Sequence, residues 1–292
     1  MSYEIGTATG HYDLINKIRV FVEQTLPLEQ RWTLLRYSEA TTDHEVIWKA
    51  PGLSGLEEIY VGIKSYQSIS SDYYNIRVNG FTGYVAANTY DTQPGISPSG
   101  GVPLYNNIIN YYFVANGQRL IVVANITAVY NSFYLGKILP YATPTQWPYP
   151  VAACGMLTGA TGYRYDNLDY SKAWWYGYKY WAAPIYGAHN TMYFRFVDGG
   201  WRTSEVLPFY DACPYTERNT AIISESAVGY YGLHALILTD ASNVYGEFEG
   251  VYQISGFNNS VENTLVIDGV TYVVIRSGIK TGFRDYIALR LS

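Results

Sequence analysis

Three sets of turn residues constrain this chain more than anything else in it. Asn116-Gly117, Asp198-Gly199-Gly200 and Asp268-Gly269 each stand between a pair of apolar, β-branched or aromatic runs. Asn-Gly and Asp-Gly pairs tolerate the positive φ angles that close a tight hairpin, so each set predicts two antiparallel strands. Around the first, the arms are Tyr111-Tyr112-Phe113-Val114 and Leu120-Ile121-Val122-Val123. The rest of the chain agrees. "RWTLLRY", "EVIWKA", "EIYVGIKSY" and "YYNIRVNGFTGY" are short strand-like runs, and "AIISES", "GLHALILT", "YGEFEGVYQI" and "DYIALRL" continue the pattern.

One segment reads as a helix. Leu14, Ile18, Phe21, Val22 and Thr25 recur at helical spacing, Asp13 suits the first turn, and Pro27 stops the run. The expected fold is mainly β, with sandwich or partly open barrel domains and one N-terminal amphipathic helix, α+β overall. Its expected divisions are a helix plus β-rich domain at 1–158, an aromatic arm at 159–190 and a β-rich domain at 191–292. Within the first, residues 88–107, "NTYDTQPGISPSGGVPLYNN", form a long Gly/Pro/Ser loop with few large apolar residues. Such a loop is expected to be mobile until bound. Pro140, Pro144, Pro148 and Pro150 exclude a regular central strand or helix in the ribbon that follows the first hairpin.

Composition matters for what the surface can do. Charged residues make up 15% of the chain, against about 25% in ordinary soluble domains. Aromatics reach 17%, with 32 Tyr. Tyr joins a rigid apolar body to a polar tip and suits surfaces that become interfaces, although strands also favour it for themselves. The densest aromatic passage is "GYRYDNLDYSKAWWYGYKYWAAPIYG", residues 162–187, where ten positions are Tyr or Trp and no period is sustained. Left in water, Trp174, Trp175, Tyr176, Tyr178, Tyr180 and Trp181 would make a larger apolar patch than monomers tolerate. They are the expected interface, with Tyr111 and Tyr112 of the first hairpin.

Other chemistries find little support. The net charge is −5, with 19 basic residues and no basic stripe, which argues against nucleic-acid binding. No apolar run approaches the roughly 18 residues of a membrane span, so no membrane insertion is expected. Cys154 and Cys213 make no disulfide framework or zinc pattern, and His11, His44, His189 and His234 lack metal-ligand spacing. No nucleotide motif or serine-nucleophile elbow is present, and no cofactor is expected. The enzymatic option left is a pair of carboxylates of the glycosidase kind, Asp166 with Asp169 or Glu247 with Glu249. Sugar binding without hydrolysis would use Trp174, Trp175 and Trp181. The expected answer is that the chain is not an enzyme.

"EEIYVGIKSYQS", "DYYNIRVNGFTGY", "VPLYNNIINYYFVANGQRLIVVANITAVYNSFYLGKILPYATPTQWPYP" and "YGEFEGVYQISGFNNSVENTLVIDGVTYVVIRSGIKTGFRDYIALRL" occur in that order. Together they resemble a family of virion structural proteins of tailed bacteriophages and prophages. The likeness spans nearly the whole chain and weakens at 159–190. It implies a particle component, of the tail or baseplate, made in the host cytoplasm and assembled with other virion proteins and copies of itself. It carries over no catalytic residue. The alternatives are a receptor- or glycan-binding tail-tip protein, whose partner would be host surface polysaccharide, and a neck or head-decoration protein.

Overall fold

The structure is a computed structural model. It describes residues 1–40, 43–143, 147, 150–167, 173–176, 192–203, 205–207, 232–239, 243–256, 259–282 and 285–292. Among them the fold is mainly β with one N-terminal helix, as the sequence predicts, and every strand pairing is antiparallel.

The strands form three sheets. The first contains Thr33–Ala40, Asp43–Ala50, Ile59–Ser68, Tyr73–Phe81, Gly100–Leu104 and Leu157–Thr158, in sequential pairing. The middle sheet runs Ser2–Thr9, Ile108–Ala115, Arg119–Ile126, Val129–Lys137, Val151–Cys154, Met192–Arg195 and Trp201–Arg202. The third runs Glu205–Leu207, His234–Thr239, Val244–Ile254, Tyr286–Arg290, Val270–Arg276 and Thr264–Ile267, and Leu139–Pro140 adds to its long strand.

Side-chain alternation shows how they stack. From the strand Arg119–Ile126, Leu120, Val122, Ala124 and Ile126 join the helix and the first sheet in one core. Ile121 and Val123 of the same strand join the third sheet in a second core. The centre of the middle sheet is therefore buried on both faces, and all eight residues of Arg119–Ile126 are buried. An antiparallel sheet more often leaves one face to water and alternates apolar with polar; burial of both faces explains why this strand reads as an unbroken apolar run. Met192–Arg195 pairs with Val151–Cys154. Both 1–158 and 191–292 therefore give strands to the middle sheet, and the C-terminal strands complete a core whose other wall comes from the N-terminal half.

All three hairpins are present. Ile267 pairs with Val270 across Asp268 (φ 51°) and Gly269 (φ 79°), the positive angles a two-residue turn demands. Phe196 N–H donates to Gly200 O at 2.8 Å across the second turn. The first hairpin closes with Asn116 N–H donating to Arg119 O at 3.1 Å, but neither Asn116 nor Gly117 takes a positive φ. Gly117 serves there for close approach: its carbonyl accepts from Gly52 N–H at 2.6 Å, and a Cβ would collide with the Gly52 carbonyl.

The helix His11–Val20 buries Leu14, Ile15 and Ile18, and runs into a wider turn, Phe21–Thr25, that buries Phe21 and Val22. Leu26 N–H donates to Phe21 O at 3.2 Å, five residues back. That extra residue in the turn shifts the phase by one position, so Leu26 takes the buried place expected of Thr25, which is exposed.

The segment 88–107 is more than a plain loop. It holds a short 3-10 turn, Tyr90–Thr92, and the strand Gly100–Leu104, and it covers the outer face of the first sheet. Tyr90 is fully buried against Phe81, with ring centroids 5.4 Å apart, and its hydroxyl donates to Asn79 Oδ1 at 3.2 Å. Gln93 donates to Val85 O at 3.0 Å and accepts from Val85 N–H at 2.9 Å. Asp91 takes ion pairs from Lys64 and Arg77. One large aromatic suffices as an anchor where the sequence shows mostly Gly, Pro and Ser. Within the proline ribbon, Trp147 is buried and its Nε1 donates to Arg195 O at 2.7 Å.

Candidate functional site

Of the aromatic residues expected to form an interface, the described ones are mostly consumed inside the chain. Trp174 and Trp175 are fully buried in the second core, edge to face with ring centroids 5.6 Å apart. Trp174 also packs on Phe248 at 4.9 Å and Tyr134 at 5.6 Å. Ala173 N–H donates to Ser277 Oγ at 2.8 Å and pins the segment. Trp174 and Trp175, expected at an interface with a neighbouring chain, are instead covered by this chain's own middle and third sheets. Two facing sheets lie about 10 Å apart and need bulky side chains to fill the gap. Tyr176 ends the short 3-10 turn Trp174–Tyr176, while Tyr178, Tyr180 and Trp181 lie outside the described residues.

The first hairpin divides its aromatics between faces. Tyr111 stacks on Phe113 at 3.9 Å in the first core, and its hydroxyl donates to Glu4 Oε1 at 2.7 Å. Tyr112 is half-buried at the margin of the second core; burial and then the hydrogen bond to Glu262 push its hydroxyl pKa well up. Val114, Ile121 and Val123 behind it pack on the third sheet, so the chain itself covers most of the face expected to be an inter-subunit seam.

The turn of that hairpin ties the three sheets together. Asn116 O accepts from Trp32 Nε1 at 3.0 Å, beneath the first sheet. Asn116 Oδ1 accepts from the N–H groups of Gln118 and Arg119 at 2.9 and 3.2 Å. On the other side, Glu249 Oε2 of the third sheet accepts from Asn116 Nδ2 and Gln118 Nε2, each at 2.9 Å, and from Arg119 Nε at 3.1 Å. Arg119 is completely buried. Burial raises the Glu249 pKa, but Arg119, Asn116 and Gln118 outweigh it and hold the carboxyl below its usual range.

That occupancy bears on the carboxylates considered for hydrolysis. A catalytic acid needs a raised pKa, and Glu249 has the reverse. Glu247 accepts from the Tyr141 hydroxyl at 3.1 Å. Asp166 and Asp72 share Arg164, whose Nε donates to Asp72 Oδ2 at 2.6 Å. Asp169 lies outside the described residues. The fold does bring two histidines together: Tyr12 stacks on His44 at 3.8 Å and meets His11 at 4.0 Å. His11 is 3% exposed, and burial, then the neighbouring His44, push its pKa down to about 4. Cys154 is buried, which pushes its thiol pKa up. Among the described residues no group of three or more His, Cys, Asp or Glu could hold a metal ion, and no helix is long and apolar enough to cross a membrane.

The feature that sequence reasoning missed is the edge of the middle sheet. Among the described residues Ser2–Thr9 pairs on one side only, with Ile108–Ala115, and ends the sheet. Tyr3, Ile5 and Ile108 are each about half exposed, at 50%, 53% and 51%. With Tyr112, which pairs with Ile5 and sits half-buried at the margin of the second core, they share one face of the sheet. The signal was a period of two, Tyr3, Ile5, Thr7 and Thr9, within "SYEIGTAT". No protein-family model matches the chain, and no curated protein matches it.

Proposed function

We propose that the chain is a structural subunit of a tailed-phage particle, a tail or baseplate component that assembles with copies of itself and with other virion proteins. The observation that carries the reading is a low-charge, three-sheet body whose middle sheet, among the described residues, ends in an open strand with exposed apolar residues. A subunit flanked by neighbours has no need of a heavily charged coat, and an open apolar edge is a surface to be covered. The sequence resemblance, which runs through the strands of all three sheets, points to the same particle. Glycan binding loses support because two of its three indole platforms, Trp174 and Trp175, are taken into the core.

The test uses virions from a host carrying the phage or prophage that encodes the chain. Peptides of this protein are expected in particles banded to constant density, at a fixed ratio to other tail proteins, and deletion is expected to leave incomplete tails. Absence from such particles refutes the reading. Complete tails that fail to adsorb would replace it with receptor binding.

A further inference from the structure

The backbone of the edge strand Ser2–Thr9 shows which of its groups are open. Asn116 N–H donates to Arg119 O, so in Ile108–Ala115 the N–H groups of alternate residues 114, 112 and 110 point to the strand Arg119–Ile126. Residues 115, 113, 111 and 109 then point the other way, to their partners Ser2, Glu4, Gly6 and Ala8. The N–H and C=O groups of Tyr3, Ile5 and Thr7 consequently face outward from the sheet. Thr9 follows the same phase, and its outward N–H is capped by Asp13 Oδ2 at 2.8 Å. The strand has no lysine, proline or bulge to blunt its edge.

We infer that this edge pairs with the same edge of a second copy, about a two-fold axis through Ile5. The inference rests on the assembly reading for its choice of occupant, and on the register for its geometry. In antiparallel pairing centred on Ile5, Ile5 meets Ile5 and Tyr3 meets Thr7 of the second copy. All three open residues then exchange hydrogen bonds, and the capped Thr9 N–H is not needed. A register centred on Gly6 would pair Tyr3 with Thr9 and lose that exchange. On the apolar face Ile5 packs on its twin, flanked by Tyr3, Tyr112 and Ile108. On the other face Glu4 lies opposite Gly6, so no like charges are opposed. The far edge of the sheet, Trp201–Arg202, is two residues long and gives no matching strand for head-to-tail pairing. The isologous pair joins two middle sheets into one of fourteen strands, twice the seven in one chain.

The experiment is sedimentation velocity on the purified 292-residue chain from 1 to 100 µM, with two variants. Wild type is expected to approach twice the 32.9 kDa chain mass as concentration rises. Ile5→Pro removes an outward N–H without touching the bonds to Ile108–Ala115, and is expected to stay monomeric with an unchanged circular dichroism spectrum. Ile5→Lys, at a half-exposed position, is expected to raise the dimer dissociation constant at least tenfold, and decides the matter should the proline variant misfold. A wild type monomeric throughout overturns the pairing, as does a dimer indifferent to both variants. Either result leaves the particle test above to stand or fall separately.

Discussion

Lowering the pH through the histidine range is expected to destabilise this protein at one identifiable residue, His11. Its ring is 3% exposed, and its pKa is pushed from the ordinary 6.5 down to about 4, by burial first and by His44 second. The folded state thus requires the neutral ring. Between pH 6.5 and about 4 the unfolded chain binds the proton and the folded chain does not, so stability rises with pH across that window. The contribution is fully present above 6.5 and is lost as pH falls through the window to about 4. At about 1.4 kcal/mol per tenfold change in proton affinity, the loss comes to about 3 kcal/mol. Urea unfolding at half-unit steps from pH 7.5 to 4, on wild type and His11→Gln, isolates it. The variant carries a constant packing loss, whereas the difference between the two is expected to shrink by about 3 kcal/mol as pH falls. A difference that stays level with pH would refute the reasoning, because the ring would then be equally easy to protonate in both states.

Asp285 has the opposite sign: burial raises its pKa from 3.8 to about 6, so ionising it at neutral pH opposes folding. Asp285→Asn is expected to add up to about 3 kcal/mol at pH 7.5, a gain that fades below pH 4 in the same urea series. Glu249→Gln leaves the Arg119 guanidinium buried without its counter-charge, and is expected to cost about 3–5 kcal/mol in chemical unfolding at pH 7. Trp174→Ala opens a cavity between the middle and third sheets, and a loss of about 3–5 kcal/mol in the same assay is expected; less than 1 would place the indole at a surface. Tyr90→Ala frees the cover of the first sheet, and limited proteolysis is expected to cut within 82–99 at least tenfold faster than in wild type.

What could be read in advance follows the range of the forces involved. The turns at Asp268-Gly269 and Asp198-Gly199-Gly200 are legible because the positive φ they require is set by the residues themselves. Leu14, Ile18, Phe21 and Val22 are legible for the same local reason, while Leu26 in place of Thr25 depends on a widened turn that no spacing rule foretells. Trp174 and Trp175 are misleading. Phe248, which packs on Trp174, and Ser277, which holds the neighbouring Ala173, lie far along the chain, and a dense aromatic stretch looks alike whether water or a third sheet faces it. The hub at Asn116-Gly117 is legible as a turn and illegible as a junction, since Trp32 and Gly52 reach it from beside the first sheet and Glu249 from the third. The edge at Tyr3 and Ile5 carries its alternation plainly, but nothing in eight residues says that only one described strand pairs with it.

Double coverage of the middle sheet also sets a timetable for synthesis. The strands that bear Ile121, Val123 and Tyr134 are complete by residue 137, and the helix and all of the first sheet but its short last strand, Leu157–Thr158, precede them on the ribosome. The third sheet's last strand, Tyr286–Arg290, emerges roughly 150 residues later, about 8–30 s at ~5–20 residues per second. For that interval the nascent chain presents an apolar wall with no cover of its own. A chaperone that shields strands is most needed by this protein then, and a pause in translation after residue 137 would lengthen the hazard while one before it would not.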